Sequence, residues 1–157
     1  MVQVLIRSGQ KVSGNNNNAN YYIDFNRILK SNTKYKVSFV YSSTGLNIGN
    51  STTNSISLPA YLHMNLNQES YDINSSSNAS STQLLGLLEW NNMQVATPYT
   101  GYLIAKTSTN NPIIINSIPN SNLNIRILDN SNNLWLDTAG TPAQPTNYVI
   151  ILNFEEC

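Results

Sequence analysis

A chain of 157 residues with 40% hydrophobic and only 10% charged side chains has room for one hydrophobic core, and domains of this size seldom divide further. Eight basic residues balance eight acidic ones, which leaves no electrostatic footprint for a nucleic-acid backbone or an anionic membrane. No apolar run reaches the roughly 18 residues a membrane-spanning helix needs, so neither nucleic acid nor bilayer is expected as a direct partner.

Asn fills about one position in six. Asn and Ser side chains compete for nearby backbone groups and disfavour helix, while the recurring clusters of Tyr, Ile, Val and Leu argue against disorder. A single all-β domain over residues 1–157 is therefore expected. Its start, Met1 to Arg7, alternates rather than forming the apolar core of a signal peptide, so secretion is not expected. Cys157 is the single cysteine, and an internal disulfide framework is excluded.

In chain order, Val2, Val4 and Ile6 share one face with Gln3 and Arg7 opposite, the period-two pattern of a half-buried strand. Ser8 to Asn20 holds two glycines and the run Asn15 to Asn18, and this turn-forming composition predicts a long surface loop. Tyr21, Ile23 and Phe25 predict a second strand, and Tyr35, Val37, Phe39 and Tyr41 a third, with a turn of helix possible within Asp24 to Lys30. The best alternation runs from Ile56 to Leu66, where Pro59 marks an edge position or bulge and His63 falls on the polar face beside Tyr61 and Asn65. Asn67 to Ser81 is again polar.

Leu84 to Trp90 is apolar on both faces except for Gly86 and Glu89, as in a strand covered on both sides. Tyr102 to Ala105, Pro112 to Ile115 and Leu123 to Leu128 predict shorter strands. A hairpin loop over Asp129 to Asn133 precedes the return at Leu134 to Leu136, and Tyr148 to Phe154 reads as a central, buried strand. About eight to ten strands without a helix of any length make an antiparallel β-sandwich, a jelly roll by preference. The predicted core faces carry Val4, Ile23, Phe25, Val37, Phe39, Leu58, Leu62, Leu88, Ile125, Ile127, Ile150 and Leu152.

Catalytic chemistry has little to draw on. His63 is the one imidazole, and a hydrolase nucleophile needs a base that a third group orients; a plain surface histidine is the expectation. The acidic residues Asp24, Glu69, Asp72, Glu89, Asp129, Asp137, Glu155 and Glu156 are not paired by any spacing of the kind glycoside hydrolysis requires. Asp129 to Asn133 offers alternate oxygens like a calcium loop, without its turn glycine or distant glutamate, and suits a hairpin turn better. Gly45 and Gly49 have no P-loop lysine. The sequons at Asn50, Asn74 and Asn78 are frequent by chance in a chain this rich in Asn and Ser. Trp90, Trp135 and the tyrosines could stack on sugars, although tyrosines alternating along strands more often pack across strands. No catalytic, cofactor-binding or metal-binding residue is expected.

The succession Tyr21-Tyr22-Ile23-Asp24-Phe25, Tyr35-Lys36-Val37-Ser38-Phe39, Asn124 to Asn130, Leu134 to Asp137 and Tyr148 to Phe154 resembles the small single jelly-roll minor capsid proteins of large eukaryotic DNA viruses and their virophages. The resemblance spans most of the chain and rests on strands and turns. It implies a non-enzymatic virion component made in the host cytoplasm, without cofactor, that contacts other capsid proteins or further copies of itself. The alternative is a receptor- or carbohydrate-binding head of the fibre or lectin kind. For either role the Asn-rich loops are the expected interface, through Asn15, Asn17, Asn47, Asn50, Asn67, Asn74 and Asn78.

Overall fold

The computed structural model describes residues 1–43, 46–48, 60–66, 83–94, 99–106, 113–129, 133–135 and 147–157. In chain order the strands are β1 Val2–Arg7, β2 Ser13–Asn15, β3 Asn18–Tyr22, β4 Tyr35–Ser43, β5 Leu46–Ile48, β6 Ala60–Met64, β7 Gln83–Gln94, β8 Tyr99–Lys106, β9 Ile113–Ile115, β10 Asn122–Asp129 and β11 Tyr148–Glu156. A 3-10 turn, Ser8–Gln10, and one short helix, α1 Phe25–Ile28, complete the described elements. The fold is all-β, and every strand pairing is antiparallel.

The strands form one 11-stranded curled sheet in the order β1-β11-β4-β8-β7-β6-β10-β3-β2, with β5 beside β8 and β9 beside β4. Two separate sheets were the expectation from the sequence. They are joined because β7, at 12 residues, pairs with β6 over its first half and with β8 over its second, so it runs through both arms of the curl. Setting aside the three-residue strands β2, β5 and β9, the pairing is nested: β1 with β11, β3 with β10, β4 with β8, β6 with β7, and then β11 with β4 and β10 with β6.

The alternation read from the sequence places the core well. Along β4, Tyr35, Val37, Phe39, Tyr41 and Ser43 are buried and the residues between them face outward, as period two requires. Phe25, Val37, Leu62, Ile125, Ile150 and Leu152 are fully buried, with Phe39, Leu88 and Ile127 nearly so, and Val4 and Ile23 pack partly against them. Leu58 lies outside the described residues. The two arms of the curl share this core. Phe25 meets Phe154 edge-on with ring centroids 5.8 Å apart, and a Cβ on Gly86 of β7 would lie 2.9 Å from Cζ of Phe39 on β4. That position takes glycine because the opposite arm's aromatic ring fills the space a side chain would need.

Several expectations are corrected. Ser8 to Asn20 is not one long loop: it starts with the 3-10 turn, and Ser13 to Asn20 forms a hairpin in which β2 and β3 pair directly with Asn15 opposite Asn18. Gly14 allows it, with φ of +87 and a position where a Cβ would overlap the Asn18 carbonyl oxygen. The second strand ends at Tyr22, and Phe25 reaches the core from the first residue of α1. His63 is buried, 2% exposed, on the strand face predicted to be polar.

Leu84 to Trp90 is not covered on both sides, as Leu87 is 47% exposed. Opposite Leu62 and His63, the register skips Leu85, a β-bulge that changes which side chains point inward. In β11 one face is buried and Val149 on the other is exposed, although the strand is central as expected. The hairpin over Asp129 to Asn133 is present: the Asp129 amide donates to the Asn133 carbonyl at 2.9 Å, and the Asn133 amide to Asp129 Oδ1 at 2.9 Å.

Candidate interaction surface

Among the described residues no three His, Cys, Asp or Glu side chains come together, and no helix is long and apolar enough to cross a membrane. Two of the buried polar side chains take up backbone amides. Ser8 Oγ accepts the Tyr148 amide at 3.1 Å, and Ser43 Oγ accepts the Leu103 amide at 2.8 Å. Trp135 is buried in the core, which removes it as a platform for a sugar ring. Its amide donates to the Ile127 carbonyl at 2.9 Å, beside the Ile127 amide that donates to the Asn17 carbonyl at 2.9 Å.

Tyrosines crowd one end of the core. The Tyr21 and Tyr148 hydroxyls are 3.0 Å apart, and the Tyr41 ring lies over Tyr148 with centroids 5.5 Å apart. Burial raises the pKa of all three above the usual tyrosine value, and the hydroxyl contact adds to the rise at Tyr148 and offsets it at Tyr21. Protonated, they act as hydrogen-bonding core residues.

Of the predicted interface asparagines, Asn15 is exposed at the tip of the β2–β3 hairpin and Asn47 pairs with Thr100 through the backbone of β5. Asn17 is 3% exposed and its amide donates to the Trp135 carbonyl at 2.9 Å, so it ties the hairpin to the segment after β10. Asn50, Asn67, Asn74 and Asn78 lie outside the described residues. A second set of asparagines, not singled out from the sequence, lines the outer face of β3, β10 and β6. Asn124 Nδ2 donates to Asn20 Oδ1 at 2.8 Å and Asn18 Oδ1 at 3.2 Å, while its backbone amide donates to Asn65 Oδ1 at 2.7 Å. Asn20 Nδ2 in turn donates to Ser13 Oγ at 3.1 Å. Tyr22, 65% exposed, stands at the end of this amide network, opposite Asn122.

The outer face of the other arm differs. Leu5, Ile151 and Val40 stand in register across β1, β11 and β4, with Leu5 43% and Val40 49% exposed. Val149 continues the apolar surface one step along β11. Next to this row runs a polar one, Gln3, Asn153 and Ser38: Gln3 Nε2 donates to Asn153 Oδ1 at 2.9 Å and Asn153 Nδ2 to Ser38 Oγ at 3.5 Å. An apolar row of this kind, ringed by polar groups, is the form that interaction surfaces take. It reaches the rim of the sheet, because β1 is the first strand in the order and has no second neighbour among the described residues.

The sequence held a signal for this surface in the unbroken apolar runs Val4-Leu5-Ile6, Phe39-Val40-Tyr41 and Tyr148 to Leu152. Such runs suit a strand covered on both faces; here the second face is uncovered among the described residues. Comparison with family models, with curated proteins and with solved structures finds no match to this chain.

Proposed function

We propose that the chain is a non-enzymatic virion structural protein, a minor capsid component built on a single jelly roll that makes contacts between capsomers or neighbouring copies. The resemblance set out above suggests the class. The jelly-roll reading is supported by the nested pairing, since a chain folded as one long hairpin and then rolled up pairs its first strand with its last, its second with its penultimate, and so inward. The direct pairing of β7 with β8, which joins the arms, is a departure from two separate sheets.

The observation that carries the functional reading is the exposed apolar row Leu5, Ile151 and Val40, which ends at β1, a strand with no second neighbour among the described residues. A surface of this kind gains by burial against a partner, at about 25 cal/mol per Å² of apolar area removed from water. The test is incorporation: tagged chain should co-purify with gradient-banded particles, and Val40→Lys should lower its occupancy while leaving the isolated domain's unfolding midpoint unchanged. Particles that never contain the chain would overturn the proposal.

A second reading, a carbohydrate-binding head, is favoured by exposed Tyr22 beside the amide network of Asn20, Asn122 and Asn124, because an aromatic face with flanking amides can hold a sugar ring. A glycan array separates the two. Binding that is lost in Tyr22→Ala, together with absence from particles, would put this reading in place of the first.

A further inference from the structure

We infer that β1 is a self-association strand: two copies of this chain pair their β1 edges antiparallel across a twofold axis at Leu5, joining their curled sheets into one. Among the described residues, the two rims of the sheet differ in how they are guarded. At one rim β2 has three residues and carries Gly14 in a left-handed conformation, the short, bent form that keeps an edge from pairing further. At the other, β1 keeps an unbroken register with β11 over all six residues, Val2 to Arg7. Within it stand no proline and no lysine, and the single charge is Arg7 at its end.

The side-chain register selects the occupant. With the axis at Leu5, the outward residues of one copy meet those of the other as Leu5 against Leu5 and Gln3 against Arg7, so an apolar residue covers its own image and no like charges face each other. Cross-strand pairs of this kind stabilise a ladder, and directly opposed like charges oppose it. The row Leu5, Ile151 and Val40 would then run on into the same row of the second copy, and the exposed Leu5 would lose contact with water. A net charge of zero puts no long-range repulsion between copies. The contact is isologous and closes at two, whereas β1 pairing with a second copy's β2 would propagate without closure.

This names a partner for the assembly reading and rests on that reading only for the dimer's role in a particle. Sedimentation velocity over a concentration series should show a monomer–dimer equilibrium for the wild type, and Leu5→Lys should weaken it by about tenfold, or 1.4 kcal/mol. In a Cys157→Ser background, Leu5→Cys should form a disulfide-linked dimer under mild oxidation while Val149→Cys does not. Should Leu5→Lys fail to fold by circular dichroism, the cysteine pair decides. A strictly monomeric wild type, or a dimer that Leu5→Lys leaves intact and Leu5→Cys does not cross-link, sinks the inference. Incorporation into particles is scored separately: a monomer that still incorporates fails here and leaves the capsid reading standing, and a β1 dimer absent from particles does the reverse.

Discussion

The three tyrosines at one end of the core carry a pH dependence whose sign follows from their burial. Tyr21, Tyr41 and Tyr148 all have pKa values raised in the folded state, chiefly because burial penalises the phenolate. Below the unfolded value, near 10, folded and unfolded chains both hold these protons, and stability does not change on their account. Above it the unfolded chain releases protons that the folded chain keeps, so stability falls as pH rises. Urea midpoints measured from neutral to strongly alkaline pH should stay level and then drop, and three phenols should ionise only as the domain unfolds. Ultraviolet difference absorbance checks this against the chain's nine tyrosines; ionisation of all nine near pH 10 while the domain is still folded would contradict it. Gly86 offers a second test at the same scale. Its missing Cβ is replaced by the Phe39 ring, so Gly86→Ala should cost about 1–3 kcal/mol as overpacking does, and the loss should shrink when Phe39→Leu opens the space. Phe39→Ala alone should cost about 3–5 kcal/mol, the usual loss for a buried aromatic.

Between elements, the β2–β3 hairpin depends on a residue whose role no local pattern reveals. Asn17 connects the hairpin to the Trp135 carbonyl, 118 positions away in sequence, and its burial was not legible because a run of four asparagines reads locally as a loop. His63 was misread for another reason: Leu62, His63 and Met64 are all buried, at the register shift between β6 and β7, and a bulge of this kind leaves no mark in the alternation. By contrast β4 was legible residue by residue, because Tyr35, Val37, Phe39 and Tyr41 carry their burial in their spacing. The candidate surface falls between these cases: Leu5, Val40 and Val149 were visible as apolar residues, and only the strand order shows that their face is an outer one next to a rim. Asn17→Ala should cost about 1–3 kcal/mol, as it removes a buried hydrogen bond to the Trp135 carbonyl. Asn15→Ala, at the exposed hairpin tip, should stay within about ±0.5 kcal/mol. Thermal or urea unfolding of the pair checks the contrast, and equal losses would mean that Asn17 is not the joint described above.

For the whole molecule, the length of chain between paired strands sets an order of assembly. Strands β7 and β8 are joined by residues 95–98 alone, so their pairing closes a short loop, whereas β1 and β11 bring Val2 against Phe154 from opposite ends of the chain. The entropy of closing a loop grows with its length, and a long closure becomes favourable only after inner strands have brought its ends together. The inner hairpin should therefore form before the folding barrier and the outer pair after it. A fold dominated by pairings so distant in sequence should also fold slowly, within milliseconds to seconds. Leu103→Ala on β8 and Leu152→Ala on β11 both empty fully buried sites and should each cost about 2–5 kcal/mol, large enough for the kinetics to be divided reliably. Stopped-flow refolding and unfolding in urea should show Leu103→Ala mainly slowing folding, and Leu152→Ala mainly speeding unfolding, with a φ-value below about 0.3. If Leu152→Ala instead slows folding as much as Leu103→Ala, the outer strands belong to the nucleus, and closure of the curl is an early event rather than the final one.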